Sequence, residues 1–520
     1  MSPPVLLALD AGTSLIKAVA FEGDGRMLGT AARRNRYIEG PGGAVEQDML
    51  QTWEDAASAL GELVASLRGR KILALAITGQ GDGTWLIDEQ GAPSAPAWLW
   101  LDARAEQIIS ALRRSEAGRI AYKHTATGLA ACQQSGQLLW LARYRPELLA
   151  RVATAFHCKD WLYFCLTGVR ATDPSEATFT YGDWRVRDYC DETISALGLK
   201  ELRRLLPPVV DGTATAHGLS GATAARLGLR EGTPVVLGYV DVLCGALGGG
   251  LYGGNGVAGV SILGSTGMHM RLAADDDDVV LNTELTGYCM PFPVPGRVAQ
   301  MQSNMAATLN IDWVVDLAAE ALALAGAERE RSAVLAALDE AVALARPGAA
   351  VFHPFISAAG ERGPFTDGTA RAQLLGIERS FGFADLMRAV YEGLAFAARD
   401  CYAAIGGPPA EIRLCGGAAR STSMRAILAA ALDREVRVAD QPESGAAGAA
   451  MIAAVQLGLY PDMSAAAAEW VLPRLGPATL PDPALVSFYD RLFPVYRDAY
   501  RATAPVWQRM HATREAWDGA

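Results

Sequence analysis

The sequence predicts a two-lobed α/β protein, and three observations carry that expectation. The chain is 520 residues long, more than a single hydrophobic core ordinarily serves. Short apolar runs alternate with stretches of helical spacing, the pattern of a mixed sheet with helices on its faces. One device, a strand, a tight turn and a second strand, occurs twice about half a chain apart, at Asp10-Ala11-Gly12-Thr13 and at Gly264-Ser265-Thr266-Gly267.

The elements follow in order. Val5 to Asp10 is a short apolar run, hence a buried strand, and Leu15 to Glu22 resumes after the turn. Gly23-Asp24-Gly25 reads as a hairpin into Met27 to Ala31. The Gly-rich stretch Glu39 to Glu46 reads as a flexible loop, and Glu54 to Leu67 has helical spacing. Ile72 to Ile77 is another buried strand, running into Thr78-Gly79-Gln80-Gly81-Asp82-Gly83. Between Val242 and Met270 there is no charged residue, a length that could cross a bilayer, but ten glycines argue for a packed helix, a turn and a strand instead. The lobe boundary is expected in Tyr252-Gly253-Gly254-Asn255-Gly256, giving lobes of residues 1–252 and 253–520. The second lobe offers strands at Gly259 to Leu263, Met268 to Leu272, Ile412 to Cys415 and Val436 to Ala439, with helices at Ser421 to Leu432 and Ser444 to Leu457. The Asp275 to Asp278 run reads as a solvated loop.

Composition narrows the class. Hydrophobic residues at 51% and charged residues at 20% describe a globular enzyme, and a net charge of −11 argues against nucleic acid as a partner. Eight scattered cysteines without a CxxC pair or zinc-like spacing suit a reduced, cytoplasmic protein. The N-terminus shows no charged leader or cleavage site, so neither secretion nor membrane attachment is expected.

The two turns point to phosphate. A nucleoside triphosphate needs backbone donors at its phosphates and a carboxylate near its magnesium ion. None of the five lysines sits in a Walker A frame, whereas both turns place a hydroxyl and glycines where backbone must approach a phosphate. Gly248-x-Gly250-x-x-Gly253 matches a dinucleotide fingerprint as a string but follows a helical segment rather than a strand. Asp241, between an apolar strand and a Gly/Ala-rich helix, suits a helix cap and a general base equally well by position. Gly416-Gly417-Ala418 offers a surface free of side chains for an adenine ring, although a plain strand-to-helix turn is the simpler reading. Glu361-Arg362 is either a surface ion pair or a brace for a cleft.

Taken in order, these motifs resemble the FGGY family of carbohydrate kinases over almost the whole chain. Ala372-x-Leu374-x-Gly376-Ile377 followed by Asp385-Leu386-x-x-Ala389-Val390-Tyr391-Glu392 is similar to the family's C-terminal signature, and Lys159-Asp160-Trp161-Leu162 with Leu166-Thr167-Gly168 to its N-terminal one. Val45-Glu46-Gln47-Asp48, Trp100-Leu101-Asp102-Ala103-Arg104 and Gly360-Glu361-Arg362-x-Pro364 fall where similar kinases have theirs. The resemblance implies two RNase-H-like lobes of the actin/sugar-kinase type, closing over an interdomain cleft. It further implies ATP and Mg²⁺, with Asp10, Gly12 and Thr13 at the first phosphate and metal site. Gly264, Ser265, Thr266 and Gly267 would form the second phosphate site, Gly416, Gly417 and Ala418 the adenosine edge, and Asp241 the catalytic base.

Where similar xylulose kinases carry Gly-Gln-Met-His-Gly, this chain has Gly79-Gln80-Gly81-Asp82-Gly83, and the fuller string to Asp88 resembles the family's erythritol kinases. An acceptor-only carboxylate in place of an imidazole suits a ligand with adjacent hydroxyls, although Asp82 could also be a turn residue. The expected contacts to a small polyol are Gln80, Asp82, Trp100, Arg104 and Asp241, with a terminal primary hydroxyl as acceptor. L-xylulose, D-xylulose or another pentulose is the alternative substrate. A non-catalytic actin-like ATPase or a sugar-responsive regulator is the alternative of a different class, and the sequence leaves open whether the protein acts alone or as a homodimer.

Overall fold

The computed structural model describes residues 4–253 and 258–518. Two six-stranded sheets dominate it. In the first, the spatial order is His217–Gly218, Pro234–Leu237, Ile72–Gly79, Val5–Ala11, Leu15–Glu22, Met27–Arg34. Val5–Ala11 runs antiparallel to Leu15–Glu22 and parallel to Ile72–Gly79, which in turn lies parallel to Pro234–Leu237. The second sheet repeats the plan: Ala258–Leu263 is antiparallel to Gly267–Ala273 and parallel to Glu411–Cys415, which is parallel to Glu435–Val438. Each sheet is therefore an antiparallel meander continued by two parallel strands, as two lobes of one plan require. The boundary expected at 252/253 adjoins residues 254–257, which lie outside the described residues.

The strands form where continuous apolar runs demand burial on both faces: Val5, Leu6, Leu7, Ala8 and Leu9 are all fully buried. Glu39 to Glu46 differs from expectation. It is a hairpin of Ile38–Gly40 and Ala44–Gln47 that pairs with Ala97–Trp98, held by the Val45 N–H on Asp102 Oδ2 at 2.9 Å. Its glycines supply the turn, with φ of 70° at Gly42 and 79° at Gly43. The Asp275 run forms a short 3₁₀ turn at Asp276–Asp278, with Asp278 Oδ1 2.9 Å from Arg271 Nη1.

After the last parallel strand of each sheet comes a helix, Asp241–Gly248 in the first half and Ser444–Gln456 in the second. These equivalent helices pack directly on each other, backbone against backbone. A Cβ on Gly248 would fall inside contact distance of the Ser444 carbonyl, and one on Gly448 inside that of the Cys244 carbonyl. The surrounding core draws on both halves, with Leu6, Val19, Leu243 and Leu247 in one buried cluster with Val260, Met270, Ala450 and Ile452. A second tie lies at the hairpin after Glu22: Tyr460 Oη and Trp470 Nε1 donate to Gly23 O at 2.7 and 3.1 Å, and Arg474 Nη2 donates to Gly25 O at 2.8 Å. Among the described residues no helix is long and apolar enough to cross a membrane.

Gly448→Ala is expected to lower the thermal midpoint, at a cost of about 1–3 kcal/mol, because the methyl group must push two backbones apart. Gly61→Ala, in the helix Met49–Ser66 where an added Cβ meets nothing, is expected to stabilise by about 0.5–1 kcal/mol. Thermal melts of the two variants check the contrast.

Candidate active site

A cavity of about 200 Å³ opens between the halves. The first half lines it with Thr13, Gln80, Asp82, Trp100 and Asp241, the second with Thr266, Tyr288, Ser303 and Arg362. The hydroxyl residues of the two equivalent turns, Thr13 and Thr266, thus share one cavity with Asp241.

A chain of buried amides holds the first turn. Asn35 Nδ2 donates to Gly12 O at 2.8 Å, Gln47 donates to Asn35, and Gln80 Nε2 donates to Gln47 Oε1 at 3.0 Å. Thr13 Oγ1 donates to Gln80 Oε1 at 3.2 Å and accepts from Trp100 Nε1 at 2.7 Å. Gln80 and Trp100 therefore fix the Thr13 hydroxyl as well as lining the cavity. The second turn is stitched to the helix Thr308–Leu324: the Ala307 N–H donates to Ser265 O at 2.7 Å and the Thr308 N–H to Gly264 O at 2.9 Å.

Asp241 is the first residue of its helix, with Val240 as the cap, and its side chain faces the cavity. Burial raises its pKa to about 7, with the Asp10 charge adding to the rise. Asp10 is raised to about 6, again by burial, with Lys17 opposing and Glu443 adding. Lys17 is the cross-strand partner of Asp10 and its Nζ lies 2.8 Å from Glu443 Oε2. Asp10 also meets the start of the Ser444–Gln456 helix, since a Cβ on Gly445 would lie 2.5 Å from Asp10 Oδ2. Among the described residues no group of three or more His, Cys, Asp or Glu side chains is placed to hold a metal alone. Asp10 and Asp241 nonetheless form a hard oxygen-donor pair, which suits a magnesium ion that shares its coordination with phosphates.

Asp82 has a φ of 55° and is 9% exposed. Its Oδ2 accepts from Tyr288 Oη at 3.3 Å and from Cys132 Sγ at 3.5 Å, while Oδ1 is buried with no partner. Burial raises its pKa, against the pull of His157 and Arg362. It is thus both a turn residue and a cavity wall.

A buried charged network backs these walls. Lys159 Nζ lies 2.6 Å from both Asp160 Oδ1 and Asp173 Oδ1, and the three side chains are fully buried. Burial works against both charges, but the mutual attraction wins and holds the Asp160 pKa down to about 2. Asp173 accepts from the Ser175 hydroxyl, whose oxygen accepts the Val240 N–H at 3.1 Å. The family-signature lysine is thereby connected to the peptide that carries Asp241.

The structure does not bring every expected residue to the cavity. Arg104 is not in its lining: it forms a forked pair with Asp102 (Nη2 to Oδ2 2.6 Å), reaches Glu46 Oε1 at 2.8 Å and stacks 3.3 Å above the Trp98 ring. Its neighbours hold it in the wall of the first half. Asp10, Gly12, Gly264, Ser265 and Gly267 lie behind or beside the lining. Gly416 borders a separate open depression with Arg420, Arg425, Asp440 and Pro442. Its φ is 91°, and a side chain there would strike the Leu263 carbonyl, so glycine is required.

Sequence reasoning missed the opposite wall. Phe179 and Tyr288 meet edge to face at 5.6 Å and close the cavity with Met268, Met290 and Met301. No local motif marks them. Glu361 and Arg362 carried a signal, a charged pair between Gly360 and Pro364, and the structure divides their tasks. Glu361 is buried and braces the loop, while Arg362 lines the cavity.

The model of the N-terminal domain of the FGGY family of carbohydrate kinases matches residues 5–248, and that of the C-terminal domain matches residues 259–457. The chain is 49% identical to an erythritol kinase of Brucella abortus, over 97% of this chain and 98% of that protein. It is 28% identical to a xylulose kinase of Escherichia coli, over 96% and 99% respectively. A gluconate kinase of Lactobacillus acidophilus superposes with a TM-score of 0.88 at 20% identity, over 98% of this chain and all of that one, which shows the shared two-lobed fold. In architecture and in sequence alike, this chain belongs to the FGGY family of carbohydrate kinases.

Proposed function

We propose that the protein transfers the γ-phosphoryl group of ATP to a primary hydroxyl of erythritol. Residues 1–252 would carry the polyol and the base, and residues 253–520 the nucleotide. The observation that carries this reading is Asp241 in one cavity with Thr13 and Thr266, supported by the 49% identity to a kinase named for erythritol. The 28% identity to a xylulose kinase makes a ketose the second reading.

The chemistry follows from the residues. The carboxylate of Asp241 takes the proton of the primary hydroxyl as its oxygen attacks the γ-phosphorus. The new O–P bond forms while the bond from the γ-phosphorus to the β,γ-bridging oxygen breaks, and ADP leaves. A base raised to about 7 suits a loose transition state, in which the proton moves late and little driving force is needed. Asp10 would hold Mg²⁺, which when bound neutralises phosphate charge. Thr13 is positioned by Gln80 and Trp100, and its hydroxyl would reach a phosphate oxygen by turning its proton away from Gln80 Oε1. Gly12, Gly264, Ser265 and Gly267 would let the two turns approach them, and Gly416, Gly417 and Ala418 would pass beside the adenosine. The aromatic and methionine wall keeps water from the γ-phosphate, which otherwise would be hydrolysed.

Purified protein with Mg-ATP, assayed for ADP release on erythritol, D-threitol, glycerol, L-xylulose, D-xylulose and D-ribulose, is expected to show its highest kcat/KM on erythritol. A higher value on a ketose would overturn the substrate. Asp241→Asn is expected to lower kcat by about a hundredfold or more while leaving ATP binding intact. The base must be ionised to act, so kcat/KM should climb with pH through a midpoint near 7 and fall away below it. The pH–rate profile of Asp241→Asn should lack that limb.

A further inference from the structure

Arg362 enters the cavity from the half of the molecule opposite Asp82. Its loop is firmly held: Glu361 Oε1 accepts the backbone N–H groups of Arg362 at 2.8 Å, Met305 at 2.9 Å and Gly363 at 3.4 Å, and Thr286 Oγ1 donates to Pro364 O at 2.8 Å. Within the cavity, Arg362 Nε and Nη2 donate to Ser303 Oγ at 3.0 and 2.6 Å, which fixes the guanidinium plane. Nη1 has no partner among the described residues. Across the cleft, Asp82 Oδ1 is the matching orphan, a buried acceptor without a donor. The mechanism above uses neither atom.

We propose that Arg362 is a substrate-binding residue that works with Asp82 on one vicinal diol of the polyol, Arg362 Nη1 donating to hydroxyl oxygens and Asp82 Oδ1 accepting hydroxyl hydrogens. The inference rests on the cavity being the polyol site. A guanidinium only donates and a carboxylate only accepts, whereas a hydroxyl does both, so a hydroxyl pair between them satisfies all the groups at once. A ketose carbonyl in the same place accepts from Arg362 but has nothing for Asp82, leaving a buried carboxylate oxygen unpaired. The pair thus favours a ligand that presents hydroxyls, rather than a carbonyl, to Asp82. Because the two residues come from opposite halves, the substrate would also be the link that draws the halves together.

Steady-state kinetics of Arg362→Gln, Arg362→Lys, Ser303→Ala and Asp82→Asn with erythritol and Mg-ATP test this. Arg362→Gln is expected to raise the erythritol KM about tenfold to a hundredfold, with the ATP KM changed by less than about twofold. Arg362→Lys should recover part of the loss, and Ser303→Ala, which only frees the guanidinium, should give a smaller rise. The double variant Asp82→Asn/Arg362→Gln should lose less than the product of the two single losses, since both act on the same hydroxyls. An unchanged erythritol KM in Arg362→Gln would overturn the proposal, and so would an equal rise in the ATP KM, which would place Arg362 on the phosphates. If Arg362→Gln fails to fold, Arg362→Lys and Ser303→Ala decide by the same KM comparison. A wild type that ignores erythritol would remove the polyol reading itself, and the Arg362 claim would then be judged by the same comparison on whichever substrate is phosphorylated.

Discussion

The site depends on the contact between two helices whose backbones touch at glycine. Asp241–Gly248 and Ser444–Gln456 occupy equivalent places in the two sheets, and Gly248 and Gly448 let each approach the other's backbone without a side chain between them. Each helix begins at the chemistry. The first opens with Asp241, and the second brings Gly445 against the Asp10 carboxylate. The separation of the two acids is therefore set by main-chain contact between the halves, which is stiffer than any side-chain arrangement. The same contact joins the two halves.

Charge is distributed around that contact unevenly. Behind the cavity, Lys159 pairs with both Asp160 and Asp173, and the chain through Ser175 to Val240 links that network to the mount of Asp241. In the lining, Asp82 and Asp241 have raised pKa values, as has Asp10 beside it, with burial as the leading cause. Acids held in this way favour a ligand that supplies cations or hydroxyl hydrogens, as a magnesium-bound nucleotide and a polyol do.

Much of this was legible in the sequence, and the part that was not has a common cause. The strands Val5–Ala11 and Ile72–Gly79 could be read because burial on both faces leaves apolar runs at 5–9 and 72–77. Thr13, Thr266, Asp82 and Asp241 could be found because glycine or a strand end marks each of them locally. Phe179 and Tyr288 could not, because they look like core aromatics until the fold places them across the cavity. Arg104 is absent from the cavity lining for a related reason. An arginine in a loop is free until tertiary structure supplies Glu46 and the Trp98 face, and those contacts, with neighbouring Asp102, occupy it fully. The hairpin at Ile38–Gln47 was hidden by its glycines, which signal flexibility in isolation but a tight turn when flanking strands pair.

The central claim is that Asp241 faces the reacting hydroxyl between the two turns. The most direct test is a crystal structure of Asp241→Asn with erythritol, Mg²⁺ and a non-hydrolysable ATP analogue. The account predicts a primary hydroxyl of erythritol within hydrogen-bond distance of the residue 241 carboxamide and in line with the γ-phosphorus, with Thr13 and Thr266 at the phosphates. Erythritol bound with its primary hydroxyls turned away from residue 241, or a nucleotide whose γ-phosphate lies outside the cavity, would contradict it.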